Sequence, residues 1–224
     1  MDDIRAVTLD LDETMLDRRA TFLLFIRSQM ARFAHFFDHV DHAKYIDRVV
    51  ELDRDGYTPK EEVFAGAARD FSLVDEAADA LPRDFRDRFP EECVAFAQLD
   101  SVLDHLAQSG YRLAVITNGS ADIQQRKIDV LGIASAFDYI AISEVEGFKK
   151  PDPEIFHRTL ERLDVAPGEA VHVGDNPRSD ITGGKEAGLR TIWTRSRRWP
   201  AAPGADAVIE EIAQLPEAIS RLSG

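Results

Sequence analysis

The sequence predicts an α/β protein in which a parallel sheet is covered by helices on both faces and is interrupted, after its first strand, by an all-helical segment. Three observations carry this expectation. Short apolar, β-branched runs recur at Ile4 to Leu9, Leu113 to Ile116, Tyr139 to Ile142, Ala170 to Val173 and Thr191 to Trp193, each suited to a strand buried on both sides. Segments of helical period lie between the later runs, and strand alternating with helix is the pattern of crossover-linked parallel strands. From about Asp17 to about Pro90 that rhythm stops, leaving Phe-rich helical patterning without a strand run.

The elements follow in order. Ile4 to Leu9 ends in "DLDET", with Asp10, Asp12 and Glu13 gathered where the apolar pattern stops. The segments "TFLLFIRSQMARFAHFF" and "YIDRVVELDRDGY" come next, and their Phe stripe reads as the core of a helical insert rather than an aromatic ligand site. The expected division is a core of residues 1–16 and 91–224 and an insert of 17–90. From Ser101 a helix to Gln108, the strand ending in "VITNGS", a helix over Ile123 to Leu131 and the strand at Tyr139 restore the alternation. Then come the loop "EGFKKPDPEIF", a helix over Pro153 to Leu163, the strand ending in "HVGDNPRSD", a helix over Ile181 to Ala187 and the last strand. Gly110, Gly132 and Gly188 stand where helix-ending residues belong.

With 224 residues the chain can bury a sizeable core. Its formal net charge of -14 argues against a general affinity for nucleic acid, whose phosphates it would repel. The short basic run Arg195 to Arg198 reads as a solvated loop. Cys93 is the only cysteine, so neither an intrachain disulfide nor a cysteine-based metal site is available and a reducing cytoplasm is the natural setting. Neither a signal-peptide pattern nor a run of membrane-spanning length is present in the sequence. The expectation is a cytoplasmic monomer or homodimer without membrane or nucleic-acid partners.

Ligands of open parallel sheets bind outside the carboxyl ends of the strands, and here those ends are chemically loaded. Each motif has a bland reading by itself: an acidic turn at Asp10 to Thr14, a strand-to-helix turn at Thr117-Asn118-Gly119, a loop before a helix at Lys150-Pro151, and an acidic first helical turn at Asp175 and Asp180. Two carboxylates about 4 Å apart repel by roughly 4 kcal/mol at an effective dielectric near 20, so the first cluster requires a cation or a shared proton.

Taken in this order the motifs are far more specific. The sequence resembles the haloacid dehalogenase superfamily, whose motifs run Asp-x-Asp-x-Thr, a Ser or Thr, a Lys and an acidic pair. Asp10, Asp12 and Thr14 match the first, Thr117 the second, Lys150 the third, and Asp175 with Asp180 the fourth. The resemblance spans the chain, the helical insert standing where the superfamily's first-position (C1) cap does, and implies a Rossmann-like three-layer parallel-sheet core with a small all-helical cap acting as a lid. Within the superfamily, the layout is similar to the phosphatase branch.

That resemblance implies a Mg²⁺-dependent phosphatase acting on a small phosphorylated metabolite. Asp10 would be the nucleophile that forms an aspartyl phosphate, and Asp12 the acid and then base, its backbone carbonyl on the metal. Asp175 would ligate Mg²⁺, with Asp180 in or near the coordination sphere and Asp10 beside it. Thr117, Asn118 and Lys150 would hold the phosphoryl group. "FKKP" offers two lysines, and the family's pattern selects Lys150, leaving Lys149 solvated. A halide leaving group needs no proton, so an acid at position 12 argues against a 2-haloacid dehalogenase. A phosphosugar mutase on the same core is the enzymatic alternative, and a receiver-like phosphoacceptor the non-enzymatic one. Arg19, Arg27, His35, His39 and Tyr57 of the insert carry no assignment.

Overall fold

The computed structural model describes residues 3–223. Strand β1 (Ala6–Leu9) is buried along its whole length. The chain then enters five helices, α1 (Arg18–Arg32), α2 (Ala34–Phe37), α3 (His42–Asp53), α4 (Lys60–Asp70) and α5 (Ala77–Arg88). The alternation resumes with α6 (Leu99–Gln108), β2 (Arg112–Thr117), α7 (Ala121–Leu131), β3 (Tyr139–Ile142), α8 (Ser143–Glu146), α9 (Pro153–Leu163) and β4 (Ala170–Gly174). It closes with α10 (Gly183–Glu186), β5 (Arg190–Thr194), β6 (Ala207–Ile209) and α11 (Leu215–Leu222).

The strands form one six-stranded sheet of order β3-β2-β1-β4-β5-β6, every neighbouring pair parallel. Side chains alternate across the strands, so two cores form. Val7, Leu9, Leu113, Val115, Val171 and Val173 join residues of α6 and α11 on one face. Ala6, Ala114, Ile116 and Ala170 meet Ile155, Phe156, Leu160 and Leu163 of α9 on the other. Small residues on the second face let α9 approach closely. Asp152 caps α9 by accepting a hydrogen bond from the Glu154 amide at 3.0 Å, with Pro153 at the first helical position.

The chain divides into two compact units, Arg18–Val94 and the remainder. In the helical unit, Phe22, Phe25, Phe36, Phe37, Phe64 and Phe89 pack with Tyr45, Val49 and Leu81 into a core of its own. Burying each ring is worth roughly 2–3 kcal/mol against leaving it exposed, which accounts for the stripe without a ligand. The buried Asp53 carboxylate is held by Arg18 at 2.9 Å and Lys60 at 2.5 Å.

Two local features differ from the sequence expectations. β6 was not foreseen: it is a three-residue edge strand, too short for a periodicity signal. The expected helix over Ile181 to Ala187 is helical but begins earlier, opening with a π-helical turn, Pro177–Thr182, that runs into the short α10. Asn176 opens that turn by accepting the amides of Arg178 and Ser179 at 2.9 and 3.0 Å. The wider winding carries Asp180 inward, and such turns recur at functional sites.

Candidate active site

The strand order reverses direction at β1: the chain runs from β1 through β2 to β3 on one side, and through β4 and β5 to β6 on the other. A crevice forms outside the carboxyl ends of the strands at such a reversal. Asp10 lies there, directly after β1, its amide donating to the Val173 carbonyl at 2.9 Å. The chain then turns tightly, with Glu13 at φ 61° and the Met15 and Leu16 amides folding back on the Leu11 carbonyl at 3.0 and 2.9 Å. Asp12 is displayed on that turn.

Four charged groups converge. Lys150, brought from the loop between α8 and α9, sets its ammonium 2.6 Å from Asp10 and 2.7 Å from Asp180. Carboxylate oxygens of Asp10, Asp175 and Asp180 all lie within 4.8 Å of one another, and all three residues are buried. The Lys150 ammonium contacts two of the three carboxylates. Burial pushes Asp175 up to about 8, with the Asp10 and Asp180 charges adding to the rise. Burial likewise raises Asp10, against the opposing pull of Lys150. Burial alone would raise Asp180, but the Lys150 charge and a hydrogen bond from His172 overcome it and hold that carboxyl well below the usual range. Lys150 would lose its proton through burial, yet Asp10 and Asp180 hold it firmly charged. Asp10 and Asp180 therefore share the lysine, and one positive charge leaves the three clustered carboxylates with an excess of negative charge. A hard divalent cation bound through oxygen offsets that excess, and the donor set fits one.

Two of the three acids are braced from behind. His172 of β4 approaches Asp180 at 3.3 Å through Nε2 and Thr8 of β1 at 2.8 Å through Nδ1. The Asn176 amide donates to Asp180 at 2.9 Å. Gly174 leaves room for this carboxylate, because a Cβ there would sit 2.3 Å from Asp180 Cγ. Gly183 serves the lysine loop in the same way, a Cβ there falling 2.8 Å from Pro151 Cα. The Trp193 indole donates to the Asp175 carbonyl at 2.7 Å.

Thr117 is the last residue of β2 and is buried. Asn118 follows, but both ends of its amide are engaged by Lys150: Nδ2 donates to the Lys150 carbonyl, and Oδ1 accepts from the Lys150 amide, each at 2.9 Å. Its side chain thus braces the lysine. Asp12 stands apart from the triad and contacts α7: Lys127 Nζ lies 2.8 and 2.9 Å from its two oxygens, and Gln124 Nε2 lies 3.1 Å away.

Gln124, Lys127, His172 and Gly174 were missed in the sequence. Gln124 and Lys127 look like polar residues of an ordinary amphipathic helix. His172 offered a usable signal, a polar residue inside a strand buried on both faces, directly before "VGD".

The haloacid dehalogenase-like hydrolase family model matches residues 7–194. The chain belongs to that family. One relative among haloacid dehalogenase-like hydrolases, a phosphoserine phosphatase of Thermus thermophilus, is 35% identical over 149 residues, which cover 65% of this chain and 58% of that protein. A second, a glyceraldehyde 3-phosphate phosphatase of Pyrococcus furiosus, is 38% identical over 124 residues, 53% of this chain and 52% of that one. The chain thus spans little more than half the length of these two relatives. A solved haloacid dehalogenase-like structure, the 2-haloacid dehalogenase of Pseudomonas syringae, covers 98% of this chain and 99% of its own at a TM-score of 0.62, with 30% identity.

Proposed function

We propose that this haloacid dehalogenase-like hydrolase is a Mg²⁺-dependent phosphatase acting on a small phosphate monoester. The observation that carries the reading is the pairing of two separated carboxylates: Asp10, buried against Lys150 and the acidic pair, and Asp12, held outside that triad on α7. The first has the surroundings of a nucleophile, the second those of a proton carrier.

Asp175, Asp180 and Asp10 would hold the cation, with the Asp12 carbonyl completing the protein's share. When bound, it would neutralise phosphoryl charge and keep these carboxylates ionised. An Asp10 oxygen attacks phosphorus, and an Asp10–phosphorus bond forms as the ester bond breaks. Asp12 gives its proton to the departing alkoxide. Water then attacks the aspartyl phosphate, Asp12 recovers a proton from it, and Asp10 and inorganic phosphate separate. Lys150 and the Thr117 hydroxyl hold phosphoryl oxygens as charge builds in the loose transition state. Substrate selection would fall to the helical unit, residues 18–94, which contributes none of the reacting groups named above.

The likeness to a 2-haloacid dehalogenase favours a second reading, in which an Asp10 oxygen displaces halide from carbon. Asp12 speaks against it, since halide leaves without a proton. One experiment separates the two. Purified protein with Mg²⁺ is offered phosphate monoesters (nucleotides, sugar phosphates, sugar-acid phosphates, phosphoserine, triose phosphates) and, in parallel, 2-haloacids, with Asp10→Asn as control. Phosphate release lost in the variant supports the phosphatase; halide release with phosphate esters untouched overturns it.

A further inference from the structure

Helix α7 buries Gln124, Lys127 and Ile128. Only the isoleucine needs no explanation, because a buried ammonium and a buried amide are costly unless paired. Lys127 is 8% exposed and Gln124 2%. What pairs them is the candidate proton carrier and the candidate phosphate-binding hydroxyl. Lys127 Nζ reaches both oxygens of Asp12, at 2.8 and 2.9 Å, so the ammonium fixes the plane of the carboxylate as well as its position. Gln124 Nε2 reaches Asp12 Oδ2 at 3.1 Å and Thr117 Oγ1 at 2.6 Å.

The chemistry of the partners fixes the direction of these bonds. In its ionised, proton-accepting form Asp12 only accepts, and in that form the nitrogen of Gln124, not its oxygen, faces it. Its second hydrogen goes to Thr117 Oγ1, which therefore accepts on that side and keeps its own proton to give elsewhere. At the end of β2 the receiver would be a phosphoryl oxygen. One amide group thus sets the orientation of two functional side chains, and one ammonium locks the first of them.

We propose that Lys127 and Gln124 are positioning residues of the reaction: Lys127 holds the Asp12 carboxylate where it meets the leaving oxygen, and Gln124 ties it to a correctly oriented Thr117 hydroxyl. The inference rests on the phosphatase reading and extends it to residues that act through Asp12 and Thr117 rather than on the phosphate itself.

Leaving-group dependence tests it. An alkyl phosphate must have its departing alkoxide protonated, whereas p-nitrophenolate departs without a proton. Since kcat/KM reports only steps up to the first irreversible one, it isolates formation of the aspartyl phosphate from its hydrolysis. Wild type, Lys127→Met and Lys127→Arg are assayed on p-nitrophenyl phosphate and on the best alkyl monoester of the panel. General acid catalysis contributes about 10²–10⁴-fold, so a misplaced Asp12 in Lys127→Met should lower kcat/KM for the alkyl ester by ~30-fold or more and that for the nitrophenyl ester at least tenfold less. Hydrolysis of the aspartyl phosphate slows as well, so Lys127→Met should show a burst of p-nitrophenol and acid-trappable phosphoprotein. Lys127→Arg should recover part of the alkyl activity. Should Lys127→Met not fold, Lys127→Gln reads the same ratio while keeping a donor.

Equal losses on both esters without a burst, or no loss on either, in an otherwise active enzyme overturn the positioning role alone. A wild type that releases no phosphate from any monoester overturns the phosphatase reading and this inference with it.

Discussion

Gly174→Ala is a one-carbon perturbation whose consequence can be worked from the coordinates. The added Cβ would lie 2.3 Å from Asp180 Cγ and 2.4 Å from both its Cβ and Oδ2, where ordinary contact begins at 3.4 Å. Relief therefore requires a displacement of about 1 Å, the shortfall between those two distances. Asp180 has little freedom to supply it, since its carboxylate is fixed by Lys150 at 2.7 Å, by the Asn176 amide at 2.9 Å and by His172 at 3.3 Å. If strand and turn yield, the cost is that of overpacking, about 1–3 kcal/mol. If the carboxylate yields and leaves Lys150, a broken buried pair costs about 3–5 kcal/mol. At about 2–4 °C per kcal/mol for a chain of this size, the melting midpoint should fall by at least ~2 °C. A misplacement of 1 Å can cost ~100-fold in rate, and the loss of activity should exceed what the fraction unfolded explains. The assay is thermal unfolding together with a Mg²⁺ titration of phosphatase activity at 25 °C, where both proteins are folded. A variant with wild-type midpoint, rate and Mg²⁺ dependence would show that Asp180 is not held where its carboxylate matters.

Three further outcomes are expected. Asp10→Asn should abolish phosphate release and leave no acid-trappable phosphoprotein under quenched-flow conditions; near-normal turnover would remove the nucleophile assignment. Asp175 has its folded-state pKa raised to about 8 from an ordinary 3.8, so between those values the folded chain keeps a proton that the unfolded chain releases. Stability of the metal-free protein should then fall as pH rises from 5 toward 8, and the stabilisation by Mg²⁺ should grow over the same interval as competition from protons fades; differential scanning calorimetry with and without Mg²⁺ reads both, and a flat difference would refute the coupling. In the helical unit, Asp53→Asn removes the charge that Arg18 and Lys60 share. It should destabilise by about 3 kcal/mol, read as a lower urea midpoint at unchanged slope.

Much of the sheet was legible because burial on both faces writes itself into short β-branched runs, and "AVTL", "YIAI" and "AVHVG" have no competing reading as amphipathic helix. The three residues of β6 carry too little pattern. They pair at the edge because Asp206 ties the preceding turn to the Thr191 amide at 2.8 Å, a contact between segments that periodicity does not see. The motif residues were readable because their types are chemically unusual at strand ends. Their supports were not: Lys127 and Gln124 differ from solvated helix residues only in what lies opposite them, and the need for a glycine at position 174 exists only once the π-helical turn has carried Asp180 back over β4. The phenylalanines of the insert were readable as core, but which charge they would bury, Asp53, depended on the meeting of α1, α3 and α4.

The span of chain between partners at the site bears on how activity is gained and lost. Asp10 meets a lysine 140 positions away, and Thr8 meets His172 across 164. Closing loops of that length is entropically costly and yields nothing until the intervening strands have paired. No fragment that omits Asp10 or Lys150 can form their ion pair, and no partly paired sheet can hold the acidic pair in register with β1. Turnover is therefore a gauge of the completed sheet: during refolding it should return last, after helix content and after burial of the tryptophans, and on heating it should be among the first properties to go.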